Sequence, residues 1–316
     1  MRILITGITG FVGGHLVAAL QQQGGHTVFG LSRDAAGDRN GVYAVDLTDA
    51  SATERVLRET EPEWIFHLAG YANAGRSFQE PDAAWTSNLT ATRTLYECVS
   101  RVGIRPRILC VGSGLIYGDP ITADAWFDEE SPMRPASPYA ASKAATDLLS
   151  YQVTRHPGLD VVRVRSFNQT GPSQTPDYAV PNFARQIAAI ELGRQAPIVE
   201  TGDLSAERDL TDVRDMVDAY ILLLKHGVTG EAYNAATGVT HRMSAILDML
   251  VRQSKVRVEV RSKVDPNRRG DTLVTRANVS KLKRVTDWSP ARTIEQTLSD
   301  TLDYWRLREQ PLREGA

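Results

Sequence analysis

Cysteine is nearly missing: Cys98 and Cys110 are the only two in 316 residues. Two cysteines make neither a disulfide framework nor a CxxC metal site. Their scarcity fits a reducing compartment. Long apolar runs are missing too. No stretch approaches the roughly 18–20 residues that span a bilayer. The N-terminus has neither the basic nor the apolar region of a secretory leader. These absences lead us to expect a cytoplasmic protein with no membrane segment. Excess charge of either sign is absent as well. With 36 Lys+Arg against 38 Asp+Glu, the net charge is −2, so no basic field invites nucleic acid. There is no repeat, no low-complexity tract and no metal-ligating pattern.

What is present is a chain of enzyme size, 42% hydrophobic and 23% charged, enough for one large or two smaller domains. Strand-like and helix-like segments alternate from the start. "RILIT" is a β-branched run of the kind buried in parallel sheets. "FVGGHLVAALQQQ" then spaces Phe11, Leu16, Val17 and Leu20 as a helix face would. "HTVFGL", "VYAVDL", "EWIFHLA", "RPRILCVGS" and "DVVRVRSF" read as further strands. The helix candidates between them are "DASATERVLRET", "AAWTSNLTATRTLYECVSRV" and "PYAASKAATDLLSYQVT". Such alternation predicts an α/β protein with a doubly wound, Rossmann-type parallel sheet. Past about residue 170 the elements shorten and helix candidates dominate. We expect residues 1–170 to form a dinucleotide-binding domain that carries the catalytic groups. Residues 171–316 would form a smaller, mostly helical substrate lobe, with some chain crossing back.

Gly7, Gly10 and Gly13 form G-x-x-G-x-x-G between the first strand and the first helix. In that setting the first glycine permits a tight turn. The second lets backbone approach a pyrophosphate, and the third lets helix pack on strand. The phosphate then meets free N–H groups and the dipole at the helix N-terminus. Phe11 and Val12 lie within this turn and join the cofactor-binding candidates. The second strand ends in "GLSRD". An NAD site usually carries an acidic residue there for the ribose hydroxyls. Ser32 and Arg33 suit a 2′-phosphate instead, because a guanidinium forms charge-assisted bonds to phosphate oxygens. NADP(H) is thus the preferred cofactor, with NAD(H) as the alternative if Arg33 is only a surface residue and Asp34 meets the ribose. Asp46, at the end of "VYAVD", either accepts from the adenine amine or caps the next helix. Leu47 and Leu68, at neighbouring strand ends, complete the cofactor candidates.

"PYAASK" places Tyr139 and Lys143 four residues apart on one helix face, with Pro138 near the helix start. A nearby ammonium stabilises phenolate, which would lower the Tyr139 pKa and let it exchange a proton near neutral pH. The bland alternative is two surface residues. Ser113 in "VGSGLIYG" ends the preceding strand, at the sheet edge where ligands bind.

With these elements in order, the sequence resembles the extended short-chain dehydrogenase/reductase family. "GITGFVGG", "FHLAG", "SNLTAT", "GSGLIYG", "YAASK", "RSFNQTGP", "ERDLTDVRD" and "RRGD" carry the likeness over nearly the whole chain. Members act on nucleotide-activated sugars. The resemblance implies that Ser113, Tyr139 and Lys143 are the catalytic triad, with Tyr139 as acid/base. It implies Asn168 and Asn182 as substrate-side residues and Arg208 and Arg268 as the pair gripping the diphosphate. Each arginine alone also reads as a surface residue. It also implies a homodimer paired through two long helices of each subunit. Within the family, "FNQTGPSQ", "VPNFARQIAAIELG" and "ETGDLSAERDLTDVRDMVDAYILLL" are most similar to the GDP-mannose 4,6-dehydratase and GDP-4-keto-6-deoxy-D-mannose reductase group. Dehydratases of this kind carry an acid two residues before the Tyr of "YG", where this chain has Leu115. Dehydration is therefore disfavoured, although similar reductases often keep that acid too. The expected activity is NADPH-dependent reduction of the C4 keto group of a nucleotide-linked 4-keto-6-deoxysugar, with GDP as the expected nucleotide. The alternatives are a 4-epimerase with retained NAD(P) and a non-catalytic NADP sensor.

Overall fold

A computed structural model describes residues 1–120, 122, 125–263 and 274–310. β1 (Arg2–Thr6), β2 (Thr27–Ser32), β3 (Val42–Ala44), β4 (Trp64–His67), β5 (Arg107–Val111) and β6 (Asp160–Ser166) alternate with five helices. These are α1 (Phe11–Gln23), α2 (Ala50–Thr60), α3 (Pro81–Trp85), α4 (Ala91–Val102) and α5 (Pro138–Arg155). There follow β7 (Asn168–Thr170), α6 (Ala179–Glu191), β8 (Ile198–Thr201), β9 (Glu207–Asp212), α7 (Val213–His226) and β10 (Ala232–Ala235). The last elements are β11 (Thr240–Arg242), α8 (Met243–Arg252), β12 (Glu259–Ser262), β13 (Val274–Thr275), α9 (Ser280–Thr286) and α10 (Ile294–Arg308).

Among the described residues, seven strands pair in parallel in the order β10-β6-β5-β4-β1-β2-β3. Side chains alternate across the pleat, and both faces of the sheet are covered, so β1 is apolar at successive positions. Ile3 and Ile5 pack with Leu16 and Leu20 of α1 and Met216 and Tyr220 of α7. Leu4 turns the other way, onto Val56 and Leu57 of α2 and Leu95 and Val99 of α4. Each of these side chains is fully buried, which stabilises the fold by about 1.5–3 kcal/mol apiece. The chain order reverses at β1, with β2 on one side and β4 on the other, and a crevice opens there at the carboxyl ends.

The second lobe packs α6, α8 and α10 around Phe183, Ile187, Ile246, Leu250, Leu298 and Leu302. Short strands line it. β12 pairs β8, while β9 pairs β7, β11 and β13. Between α6 and α8 the chain returns to the main sheet: α7 packs on α1 and β10 pairs β6.

One helix candidate is not continuous. "AAWTSNLTATRTLYECVSRV" is divided into α3, a π-helical turn at Thr86–Thr90 and α4. The π turn widens the helix at Asn88, whose side-chain amide donates to Ser142 Oγ of α5 at 2.9 Å. Helix periodicity carries no sign of such a bulge.

Candidate active site

A cavity of about 1030 Å³ lies at the carboxyl ends of the sheet, between the two lobes. Gly7, Gly10, Phe11, Val12 and Gly13 line it, as do Ser32, Arg33, Asp46, Leu47 and Leu68. Ser113, Tyr139 and Lys143 line it too, together with Asn168, Asn182 and Arg208. The fold thus gathers residues from Gly7 to Arg208 into one space. Arg268 lies outside the described residues.

The glycine turn fits a dinucleotide. Gly7 has φ +72°, a left-handed conformation, and a Cβ there would stand 3.0 Å from the backbone of Ala69. A Cβ on Gly13 would meet the carbonyl oxygens of Gly7 and Ile8 at 2.5 Å, so α1 packs on its loop only without one. α1 starts at Gly10 with no side-chain cap and no acid in its first turn. Its leading N–H groups therefore face the cavity end without a competing anion.

At β2, Ser32 is buried and partly engaged. Its hydroxyl shares a 2.7 Å hydrogen bond with Thr9 and accepts from the Asp34 N–H at 3.3 Å. Arg33 is exposed and lies 3.6 Å from the Asp34 carboxylate. Asp46 does not cap α2: it accepts from Thr48 N–H and Oγ1, which holds its carboxyl below the ordinary range. The cap is Asp49, which accepts from Ala52 N–H.

α5 is fixed at its start. Ser137 accepts from the Ala140 N–H at 3.1 Å, and Pro138 occupies the first turn. Ser77 accepts from the Tyr139 N–H at 3.2 Å and donates to Ala74 O, tying the 73–78 loop to the helix. The sequence reading missed this brace, because a serine in a loop has no periodic signal. Tyr178 was missed for the same reason. It lines the cavity, raises the Tyr139 pKa and donates to Ala72 O at 3.3 Å.

Tyr139 is 8% exposed, and burial pushes its phenol up to about 12. The Ser113 hydroxyl pulls it back down in part. This reverses the expectation from the Tyr–Lys spacing. Desolvation of the phenolate is the largest influence, and the Lys143 charge does not offset it. The Lys143 ammonium donates instead to Val111 O at 3.0 Å, and burial lowers its own pKa. Ser113 Oγ accepts from the Leu115 N–H at 3.2 Å, which leaves its proton to donate towards Tyr139 or an oxygen in the cavity. Leu115 also lines the cavity and has no exchangeable proton. Tyr117 of "YG" is fully buried: it donates to Asn234 Oδ1 at 2.7 Å and accepts from Arg165 at 2.9 Å.

Behind the site runs a buried chain of hydrogen bonds. His67 Nδ1 is 2.8 Å from Thr6 Oγ1, and His67 Nε2 is 2.7 Å from Thr92 Oγ1. Thr92 donates to Asn88 O at 2.5 Å, and Thr6 Oγ1 accepts from the Ala69 N–H at 3.1 Å. The Thr92 hydroxyl has one proton, already donated, so His67 Nε2 must donate to it. Nδ1 then accepts from Thr6. The ring is neutral with its proton on Nε2.

A glycine turn on an open helix N-terminus, with Ser, Tyr and Lys at the same sheet edge, is the arrangement of a dinucleotide-dependent oxidoreductase. Comparison with known proteins narrows the class. The family model for GDP-mannose 4,6 dehydratase matches residues 4–301. The chain belongs to that family, among the NAD(P)-dependent nucleotide-sugar enzymes of the extended short-chain dehydrogenase/reductases. It is 32% identical to the GDP-6-deoxy-D-mannose reductase of Pseudomonas aeruginosa, over 98% of this chain and 99% of that protein. The structure of RMD from Pseudomonas aeruginosa complexed with NADPH superposes with a TM-score of 0.87 at 30% identity, covering 98% and 100% of the two chains. The Thermus thermophilus UDP-glucose 4-epimerase in complex with NAD gives 0.86 at 29% identity, covering 97% and 99%.

Proposed function

We propose that the protein reduces the C4 keto group of a nucleotide-linked 4-keto-6-deoxysugar, GDP-4-keto-6-deoxy-D-mannose, with NADPH. The observation that carries this reading is that one cavity is lined by Ser113, Tyr139 and Lys143 and, at position 115, by a leucine with no exchangeable proton. A bound nicotinamide cofactor supplies hydride chemistry at C4. Tyr139 holds a proton that it gives to the C4 oxygen as charge develops there. Ser113 donates a hydrogen bond to the same oxygen and orients the phenol. Lys143, held at the end of β5 by Val111 O, supplies the positive charge that favours phenolate once the proton has left. Elimination across C5–C6 would need a proton donor near the C6 hydroxyl, and Leu115 offers none.

Arg33 and Ser32 at the end of β2 favour NADP(H), with Arg33 exposed for a 2′-phosphate. Arg208 and Arg268 grip the diphosphate, and Asn168 and Asn182 face the sugar. Residues 1–170 serve the cofactor and the chemistry, and 171–316 the substrate. The protein works in the cytoplasm as a homodimer paired through α4 and α5. Leu148 and Tyr151 of α5 are 59% and 47% exposed, an apolar surface that a partner would cover. A monomeric mass by light scattering at micromolar concentration would refute the dimer.

A nucleotide-sugar 4-epimerase is the second reading. The likeness to the Thermus enzyme supports it, and an epimerase needs no acid at position 115 either. Assays with GDP-mannose and with the preformed 4-keto sugar, with product stereochemistry determined, decide among the readings. We expect no 4-keto product from GDP-mannose and NADPH-dependent turnover of the keto sugar. Tyr139→Phe should lower that turnover at least about 10²–10⁴-fold with cofactor binding retained. Dehydration of GDP-mannose by the wild type would refute the reading. A tightly retained, oxidised cofactor in the purified protein would favour the epimerase.

A further inference from the structure

We propose that the ion pair between Glu200 and Lys263 reads the base of the bound nucleotide and selects guanine. This rests on the reading of the cavity as a nucleotide-sugar site. Glu200 lies on β8, and Lys263 follows β12. Their parallel register pairs Ser262 with Thr201, and the Lys263 N–H donates to Thr201 O at 2.7 Å. That backbone link sets the two side chains together: Lys263 Nζ donates to Glu200 Oε1 at 2.9 Å. Both line the cavity on the lobe opposite Tyr139. Apolar Leu204, Ala206 and Met243 line it as well, and Leu204 and Ala206 precede Arg208 along the chain. A diphosphate at Arg208 would thus lead into a slot with apolar walls and a charged rim.

The rim presents a donor beside an acceptor. Lys263 has two protons beyond the one given to Glu200, and Glu200 keeps Oε2 and a free lone pair on Oε1. Guanine presents O6, N1–H and N2–H₂ in a row: one acceptor, then two donors. The ammonium suits O6, and the carboxylate suits the two N–H groups together. Uracil and thymine end the same row with an O2 acceptor, which a carboxylate repels. Adenine sets an amine against the ammonium and a ring nitrogen against the carboxylate, so both contacts fail. Selection here combines a match with a built-in repulsion. Asp203 is also in the cavity but is no substitute. Its oxygens accept from the Ser205 N–H at 2.8 Å and Ser205 Oγ at 2.9 Å, within its own turn.

The test is calorimetric titration of the intact protein with GDP, IDP, UDP and ADP. GDP should bind about tenfold or more tightly than UDP or ADP, given the strength of hydrogen bonds to charged groups. IDP, which lacks the N2 amine, should fall between them. Glu200→Gln should cost GDP about tenfold and leave UDP unchanged or slightly improved. Lys263→Met should weaken GDP and IDP alike, because both carry O6. The pair is solvent-exposed and contributes little to folding, so an unchanged melting temperature should accompany both variants. Equal binding of GDP and UDP by the wild type would overturn the inference, as would a GDP/UDP ratio that neither substitution moves. The outcome is separable from the reaction. Turnover of a UDP-linked keto sugar with no base preference would sink the base reading and leave the reductase standing. Guanine selection without reduction of any keto sugar would do the reverse.

Discussion

Acid should destabilise this protein through one buried ring. His67 is 2% exposed, and burial together with the Lys143 charge pushes its pKa down to about 3. The unfolded chain restores it to the ordinary value of about 6.5. Between these limits the unfolded state binds a proton that the folded state refuses, so stability falls as pH falls. The contribution is fully present above about pH 6.5 and is lost progressively towards about pH 3. At about pH 5 the loss is roughly 2 kcal/mol, some 1.5 pH units at 1.36 kcal/mol each. The hydrogen bonds have the same sign. Protonating Nδ1 would give it a donor facing the Thr6 hydroxyl, which already accepts from the Ala69 N–H and would have to abandon its own bond to the ring. Urea unfolding of the wild type and of His67→Gln, from about pH 7.5 down to about pH 5, measures the effect. Glutamine donates and accepts but does not titrate. We expect His67→Gln to be less stable at neutral pH but flatter with acid by roughly 2 kcal/mol at the low end. Parallel pH profiles for the two proteins would refute the argument.

Two other predictions concern charge. Asp147, 2% exposed, accepts from Arg163 at 2.6 Å and from Arg165 at 3.0 Å, which binds α5 to β6. Asp147→Asn would leave the buried Arg165 uncompensated and should cost about 3–5 kcal/mol, read as a lower denaturant midpoint; a loss under about 1 kcal/mol would contradict that account. If Arg33 binds the 2′-phosphate as proposed, Arg33→Ala should weaken NADPH about tenfold and NADH much less in fluorescence titrations. Equal losses for the two cofactors would remove the basis for NADPH preference.

Local rules made much of this protein legible in its residues. A strand with apolar side chains at successive positions, Ile3, Leu4 and Ile5, must be covered on both faces, and "RILIT" proved to be an interior strand of a parallel sheet. A glycine triplet between strand and helix announces its turn, because no side chain fits at Gly7 or Gly13. The spacing of Tyr139 and Lys143 set them on one face of α5 for the same reason: helix geometry is periodic and local. Non-local facts stayed hidden. Asn88, within the π turn, bonds Ser142, 54 residues away. The proton position on His67 depends on Thr6 and Thr92, brought in by two other elements. The Tyr139 pKa went the opposite way to the expectation, because sequence shows a neighbour's charge but not how completely water is excluded. The pairing of Glu200 with Lys263 needs the parallel register of β8 and β12, strands separated by some sixty residues of chain. Periodicity and turn chemistry act within a few residues, so the sequence alone determined the alternating strands and helices up to about residue 170, apart from the break at Asn88, and the edge of the sheet where the ligand end would lie. Burial, charge and register act between distant segments, and only the tertiary structure decided them.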